Sequence, residues 1–284
     1  MATSPSSSAQ AARERVARRL RDLRADAGLT GTELARRCGW THPKTSRLEN
    51  ARTPPTPDDI RRWCSACRAD AQADDIIAQS RDAESMYTEW RTHMRAGLKA
   101  LQGKDPHLFQ DTTLFRVYSA SLVPGLLQTE GYAAGVLEIS ARFHDLPVDD
   151  SADAARARVE RSRIIHEAGR RFVFVIEEAA LHYRVCDADA MAAQLGFLLT
   201  AGALPQVSLG VIPMATAARE QWPRETFHVY DDRLVSIELV SARIRITQPS
   251  EIALYLQSFE QLRAAAVYGA ESRALILRAI EALQ

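Results

Sequence analysis

The chain has 284 residues, of which 46% are apolar and 25% are charged. This composition supplies enough apolar surface for a hydrophobic core, fits two domains and excludes a wholly disordered chain. No apolar run reaches the roughly 18–20 residues that span a bilayer. Residues 1–10 are rich in Ser and Ala and lack the charge pattern of a secretory signal, so we expect a disordered tail on a cytoplasmic protein.

The formal net charge of zero hides two parts of opposite sign. Residues 1–62 contain 13 Lys and Arg against 7 Asp and Glu, a net charge of +6, whereas residues 63–284 contain 23 against 29, a net charge of −6. A basic segment joined to an acidic remainder indicates a polyanion-binding head on a body that does not bind polyanions. The alternative is chance in a chain whose basic residues are 33 Arg and 3 Lys.

Four helices are predicted in the N-terminal part, and a long helical pattern follows them. The first covers residues 11–27, and the second covers residues 32–38 and ends at Gly39. The third opens near Thr41 with Pro43 in its first turn, where the missing N–H is harmless. The fourth opens at residues 58–59, and residues 74–101 then form a linker whose apolar positions are Ile76, Ile77, Met86, Trp90, Met94 and Leu98.

The cysteines are too sparse for a disulfide scaffold, because there are four in 284 residues. Cys64 and Cys67 form a C-x-x-C pattern, but a structural zinc site usually has a second pair. A redox pair belongs at a helix N-terminus, and this one lies within a predicted helix. We therefore expect buried, inert thiols with no metal and no cofactor, with metal or redox chemistry as the alternative.

Residues 29–52 meet the requirements of a helix-turn-helix, in which a tight turn joins a scaffold helix to a helix with polar groups at its N-terminal end. Thr45 and Leu48 are predicted to face the core. Base edges are predicted to be read by Thr41, His42, Lys44, Ser46 and Arg47, and phosphates to be contacted by Asn50 and Arg52. The alternative is an ordinary helical hairpin with a solvated basic face.

The segment LTGTELARRCGWTHPKTSRLENAR (29–52) resembles the helix-turn-helix of the xenobiotic-response-element, or lambda-repressor-like, regulators. The resemblance covers about residues 13–70 and implies a double-stranded DNA operator as partner. Thr32 stands where many members carry a phosphate-contacting Gln, which shifts the expected phosphate contacts toward Asn50 and Arg52. Pro43 and Thr45 replace the more usual Ser and Val.

The C-terminal part mixes strand and helix patterns, which predicts an α/β domain with a mixed sheet of about four to five strands. Strands are predicted at 113–118, 171–176 and 207–212, and a hairpin at 227–230 and 235–240. A helix between the second and third strands predicts a parallel pair with a right-handed crossover. The predicted domains are a tail (1–10), a mainly α helix-turn-helix domain (11–73), a helical linker (74–107) and an interaction or sensor domain (108–284).

The motifs SLVPGLLQTEGYA (121–133), ExAL (178–181), QLxxLL (194–199) and ESRALI (271–276) resemble the C-terminal domain of actinomycete WhiJ-like, antitoxin-like regulators. The resemblance covers about residues 108–283. It implies a developmental or toxin–antitoxin-type repressor and a small protein partner commonly encoded nearby.

We expect no catalytic residues in the C-terminal domain, because it lacks a Gly-rich phosphate loop, a GxSxG elbow and an HExxH motif. A sensor pocket for a ligand or partner is the more plausible use of its polar residues, with Arg116, Tyr118, Gln128, Glu178 and His182 as candidates. The alternative is an enzyme of unknown reaction with a DNA-targeting head, in which Glu177 or Glu178, at the end of a predicted strand, acts with His182 as an acid/base pair.

The sequence as a whole predicts a DNA-binding transcription regulator, nucleoid-associated and controlled through its C-terminal domain. One helix-turn-helix covers a half-site, so a homodimer is expected. The candidate dimer interfaces are the apolar 76–101 segment and the two C-terminal helices, with intramolecular packing as the alternative for the apolar segment.

Overall fold

The structure, a computed structural model, describes residues 7–85, 87–89, 97–103, 106–146, 149–217, 219–240 and 242–283. The chain divides into two compact units. An N-terminal unit comprises residues 1–88 with residues 244–246, and a C-terminal unit comprises residues 89–243 and 247–284.

The N-terminal unit is helical. Its elements are α1 (Ser7–Asp26), α2 (Gly31–Cys38), α3 (His42–Glu49), α4 (Pro57–Ala66), a 3₁₀ turn (Asp70–Gln72) and α5 (Ala73–Ser85). A three-residue strand, β1 (Tyr87–Glu89), follows α5.

Two capping boxes fix where α2 and α4 begin. The Thr30 hydroxyl accepts the Glu33 N–H at 3.2 Å, and the Glu33 carboxylate accepts the Thr30 N–H at 2.8 Å. Thr56 and Asp59 make the same reciprocal pair at the start of α4. Each box satisfies backbone donors that the first turn of a helix leaves unpaired, which is why these helices begin where they do.

The core of the N-terminal unit forms where these helices meet. Leu20, Leu34, Ile60 and Trp63 are all 0% exposed. The Trp63 indole N–H donates to the Leu20 carbonyl at 2.9 Å, so the one polar atom of this buried ring has a partner inside the core.

Two predicted boundaries in this part of the chain are wrong. The helix α1 begins at Ser7, so residues 7–10 of the predicted tail are helical. Helix α5 ends at Ser85, and Ile76 and Ile77 lie in the N-terminal core, so the beginning of the predicted linker belongs to the first unit. Helices α1 and α4 cover the apolar face of α5. The periodicity of the sequence does not reveal which helices cover that face. Met86, Trp90 and Met94 lie outside the described residues.

The C-terminal unit combines a mixed sheet with helices. Its helices are α6 (Leu98–Gln102), α7 (Pro106–Asp111), α8 (Glu130–Phe143), α9 (Ser151–Ser162), α10 (Ala188–Ala201), α11 (Pro249–Ala265) and α12 (Gly269–Glu281). Three 3₁₀ turns accompany them, at Gly125–Leu127, Arg163–His166 and Glu178–Leu181. Its strands are β2 (Leu114–Ser119), β3 (Arg171–Glu177), β4 (Val207–Ile212), β5 (Phe227–Tyr230) and β6 (Leu234–Glu238). A further strand, β7 (Ala242–Ile246), begins in this unit, and its residues 244–246 belong to the N-terminal unit.

Five strands of the sheet follow one another in the order β6-β5-β2-β3-β4, with β4 at the edge. Strands β2, β3 and β4 are parallel, with Phe115 opposite Phe172 and Phe174 opposite Leu209. Strands β5 and β6 are antiparallel to their neighbours, with Phe115 opposite Tyr230. The α/β fold class, the parallel β3–β4 pair and the β5–β6 hairpin are therefore confirmed.

One face of this sheet carries the main hydrophobic core. The rings of Phe115 and Phe172 stack at 4.8 Å, and Leu195 of α10 and Ile276 of α12 join the same cluster. Strand β7 was not predicted. Its sequence alternates apolar residues with arginines. Such a short stretch becomes a strand only when neighbouring backbone supplies hydrogen bonds. Here the Leu239 N–H, just after β6, donates to the Ala242 carbonyl at 2.8 Å. Among the described helices, none has the length and apolar character needed to cross a bilayer.

Candidate DNA interface

The turn between α2 and α3 is built around Gly39. This residue ends α2 in the left-handed conformation, with φ +71°, which glycine adopts without steric cost. The following Trp40 N–H donates to the Ala35 carbonyl at 2.8 Å, and α3 then starts at His42 with Thr41 as its N-cap. The predicted helix-turn-helix is thus formed with the predicted boundary at Thr41.

Helix α3 has one inner face and one outer face. Thr45 and Leu48 are 1% exposed and face the core, as predicted. Thr41, His42 and Arg47 are exposed on the outside. A recognition helix needs this division, because its inner face anchors the helix while its N-terminal outer residues reach base edges in the major groove.

Two arginines of the interface are exposed and have no polar side-chain partner in the part of the chain that the structure describes. Among the described residues, no hydrogen bond or ion pair involves the guanidinium of Arg47 or that of Arg52, and both side chains are exposed. The backbone at the end of α3 is ordered by the Arg52 N–H, which donates to the Arg47 carbonyl at 2.9 Å. Both cationic groups are therefore available to an external anion.

Lys44 differs from Arg47 although the two lie three residues apart. Its Nζ is 2.6 Å from Asp59 Oδ1, and it lies 4.4 Å from the centroid of the Trp40 ring. Its side chain is 37% exposed. Lys44 was predicted to read a base, but its ammonium group is used inside the domain, where it joins α3 to the start of α4. The sequence feature that could have indicated this pairing is Asp59, the N3 residue of the second capping box.

The pKa of the Asp59 carboxyl reflects this arrangement. Burial acts to raise the pKa, but the hydrogen bonds from Lys44 and Thr56 outweigh it and hold the pKa below its usual value. The carboxylate is thus fixed in its charged form at the junction of α3 and α4.

The remaining predicted residues line the same surface. The Asn50 amide donates to the Ser46 carbonyl at 2.8 Å and lies 3.4 Å from the Ser46 hydroxyl, so these two side chains form one polar unit at the end of α3. A Cβ built on Gly31 would lie 3.3 Å from His42 Nε2, which places the imidazole beside the first residue of α2. The N-terminal ends of α2 and α3 therefore meet at His42, and such ends favour phosphate groups.

Helix α3 is also tied to α1 through its last residue. Arg24 Nε is 2.5 Å from Glu49 Oε1, and an Arg21 nitrogen donates to the Glu49 carbonyl oxygen at 2.5 Å. These contacts hold the helix on its scaffold without using any of the outward-facing residues.

The cysteines of this unit are buried and carry free thiols. Burial raises the pKa of Cys38 and of Cys67 to about 11 and also raises the pKa of Cys64. These thiols are protonated at neutral pH and poorly nucleophilic, and their burial agrees with the expectation from the sequence. The described residues contain no group of three or more His, Cys, Asp or Glu side chains placed to hold a metal ion.

The candidate ligand residues of the C-terminal unit are not brought into one site. Arg116 pairs with Asp232 at 2.9 Å, and Gln128 lies between the Val123 carbonyl and Arg158. The Glu178 carboxylate accepts the Met214 N–H at 2.7 Å, and His182 is exposed.

Tyr118 belongs instead to a buried network that was not predicted. Its hydroxyl donates to Glu177 Oε1 at 2.9 Å, and Arg219 holds both oxygens of that carboxylate, at 2.9 and 2.8 Å. Burial and the neighbouring carboxylate raise the pKa of Tyr118, so the phenol stays protonated. Glu177 is the last residue of β3, and Arg219 lies in the loop between β4 and β5, too far along the chain for spacing to reveal the pair.

A helix-turn-helix with a buried inner face and an exposed arginine, Arg47, on the outer face of its recognition helix defines the class of the protein as a DNA-binding regulator. Comparison with known families agrees. Residues 15–75 match a family model described as a helix-turn-helix domain, and residues 110–278 match a model described as a domain of unknown function, DUF5753. The chain belongs to the DUF5753 family.

Two further comparisons complete this result. No curated protein matches the chain. A solved structure described as "Structure of TrmBL2, an archaeal chromatin protein, shows a novel mode of DNA binding" is 14% identical, covers 85% of this chain and 88% of that chain, and gives a TM-score of 0.31. A TM-score this low supports no conclusion about the present chain.

Proposed function

We propose that the protein is a sequence-specific transcription regulator that binds a double-stranded DNA operator through α3 and acts as a repressor. The observation that carries the proposal is the guanidinium of Arg47, which is exposed and unengaged on the outer face of an anchored recognition helix. An arginine placed there can donate two hydrogen bonds to a guanine edge. Thr41, His42 and Ser46 complete the reading face, and Asn50 and Arg52 contact phosphates.

The test is selection of bound DNA from a random pool, followed by affinity measurements on the selected site. Arg47→Ala is expected to weaken binding to this site by about 10–100-fold, the worth of one good bidentate base contact, with an unchanged melting temperature. Arg81→Ala, which removes an exposed arginine from α5, is the matched control and should bind as the wild type does. Undiminished specific binding by the Arg47→Ala, Lys44→Ala double variant would show that α3 is not the reading element.

The proposal includes a homodimer, because one helix-turn-helix covers only half of a two-fold operator. Ile76 and Ile77 are buried in the N-terminal core. The C-terminal helices are candidates for the interface, because they carry exposed apolar side chains. Leu254 of α11 is 64% exposed, and Leu277 of α12 is 47% exposed. Size-exclusion chromatography with light scattering should give twice the monomer mass, and a monomer at micromolar concentration would contradict this part of the proposal.

We further propose that the C-terminal domain controls DNA binding through a small protein partner or a ligand, in the manner of an antitoxin-like regulator. The support is the resemblance of the 121–133, 178–181, 194–199 and 271–276 motifs to WhiJ-like regulators, together with the acidic net charge of residues 63–284. Co-expression with the product of a neighbouring small gene, followed by co-purification, tests this directly. Separation of the two proteins during purification would count against it.

We propose that the protein acts in the cytoplasm. We also propose that its C-terminal domain catalyses no reaction. The carboxylates considered for acid/base chemistry are engaged, since Glu177 is held by Arg219 and Glu178 accepts the Met214 N–H. A catalytic activity that survives deletion of residues 1–105 would instead establish the alternative, an enzyme with a DNA-targeting head.

A further inference from the structure

Two arginines of α9 lack the kind of partner that other half-buried arginines of the same unit have. Arg116, Arg170 and Arg219 each pair with a carboxylate, at 2.9, 3.0 and 2.8 Å. Arg158 and Arg161 are also half-buried, yet neither forms an ion pair with any carboxylate among the described residues. Their hydrogen-bond acceptors are neutral groups.

The partners of Arg158 are two glutamines. Its Nε donates to Gln102 Oε1 at 3.2 Å, and a terminal nitrogen donates to Gln128 Oε1 at 2.7 Å. Arg161 donates to the Gln102 carbonyl oxygen at 2.9 Å, and its guanidinium lies 5.0 Å from the centroid of the Phe109 ring. These contacts orient both guanidinium groups without neutralising either charge.

One acidic group, Glu238, acts electrostatically on both arginines, but it already forms an ion pair. Glu238 is held by Arg243 at 3.0 Å, so its charge is matched by a third arginine. His228 does not add a compensating charge, because burial lowers its pKa to about 4 and it is neutral at pH 7. The side chains of Arg158 and Arg161 therefore contribute two positive charges that the surrounding described residues leave unmatched.

This arrangement has an energetic cost in the isolated protein. The two arginines lie three residues apart, on one face of α9, and repel each other. Burial, together with the charge of Arg161, lowers the pKa of Arg158 to about 10, and burial also lowers the pKa of Arg161. Both remain protonated at neutral pH, and the Arg161 Nε is buried without a hydrogen-bond partner. A buried positive charge in a protein is normally paired with an anionic group.

We propose that Arg158 and Arg161 bind the phosphate or carboxylate group of a small anionic ligand in the C-terminal unit. Guanidinium groups provide the forked donors that match both kinds of group. Solvent reaches the site, because the neighbouring Arg243 and Glu238 side chains are 28% and 55% exposed. This binding site is separate from the DNA interface and does not depend on the proposed DNA binding.

The test uses the full chain, with inorganic phosphate and succinate as probes, each titrated in a calorimeter against sodium chloride of equal ionic strength. The phosphate and succinate arms distinguish the two anion classes. At least one probe is expected to bind once per chain in the millimolar range or tighter. Arg158→Gln together with Arg161→Gln should weaken that binding about tenfold or more, since both charge-assisted donors are lost.

Three variants locate the binding. Arg163→Gln removes an exposed arginine that follows α9 and pairs with Glu160, and it should bind the probe as the wild type does. Arg52→Ala, which removes a proposed phosphate contact of the DNA interface, should do the same, and this result would exclude probe binding at that residue. Circular dichroism monitors folding, and Arg161→Gln alone replaces the double variant if the latter does not fold. The proposal is overturned if neither probe binds, or if the arginine variants bind it as well as the wild type.

Discussion

The two units of this protein use charged side chains in opposite ways. In the N-terminal unit, the arginines of the DNA interface are exposed and unpaired, and the core beneath them is almost wholly apolar. In the C-terminal unit, Glu177 is 4% exposed and holds Arg219 and Tyr118 in a buried network, and the half-buried Arg158 has only neutral partners. The net charge of a segment therefore indicates how strongly it attracts polyanions, but it does not reveal which groups its individual charged side chains contact.

The comparison implies that charge changes should alter binding in the first unit and stability in the second. The largest effect is expected from Glu177→Leu, which leaves the Arg219 charge and the Tyr118 hydroxyl without their partner. The free energy of unfolding should fall by about 3–5 kcal/mol, as when one member of a buried ion pair is removed. Calorimetric or denaturant unfolding measures it, and Glu178→Gln is the neighbouring control. A loss no larger than that of the control would mean that the network does not stabilise the fold.

Leu48→Ala sharpens the contrast within α3, because Leu48 is the inner neighbour of Arg47. Leu48 is 1% exposed, and truncation should cost about 3 kcal/mol through lost burial and a cavity. Unlike Arg47→Ala, this variant should lower both the melting temperature and the affinity for DNA. Thermal unfolding and binding to the selected site are measured on the same sample. An unchanged melting temperature would show that α3 is not anchored through this face.

His228 should make the stability of the C-terminal unit depend on pH. Burial, with Arg243 and Arg161 adding to it and Glu238 opposing it, lowers its pKa from 6.5 to about 4. Because the unfolded state binds the proton more readily, stability is fully present above about pH 6.5 and falls as the pH drops toward 4, by about 3 kcal/mol. Unfolding of the wild type and of His228→Gln should be compared across this range. Parallel curves would contradict the prediction.

The smallest effect is expected from Lys44→Met, which keeps the aliphatic stem over Trp40 and removes the charge. The Lys44–Asp59 pair is partly exposed, so its loss should cost about 1 kcal/mol or less. DNA affinity should fall much less than in Arg47→Ala. The dependence of the affinity on salt concentration should also become weaker, because the variant carries one fewer positive charge. A loss of specific binding equal to that of Arg47→Ala would show that Lys44 contacts bases, as the sequence predicted.

The sequence by itself determined the local features of both units. Glycine at position 39, Thr41 at the start of α3 and the spacing of Thr45 and Leu48 are local signals, and they located the helix-turn-helix and its inner face. The β3–α10–β4 unit and the β5–β6 hairpin followed in the same way from apolar runs and turns.

Only the tertiary structure decided what individual charged groups contact. Lys44 and Arg47 have the same charge and neighbouring positions on α3, but Asp59 lies within reach of only the first. Glu177 and Arg219 are 42 residues apart in the chain, and their pairing depends on the loop that follows β4. A hydrogen bond forms only between groups that the folded backbone brings within about 3 Å, and residue spacing along the chain does not contain that information.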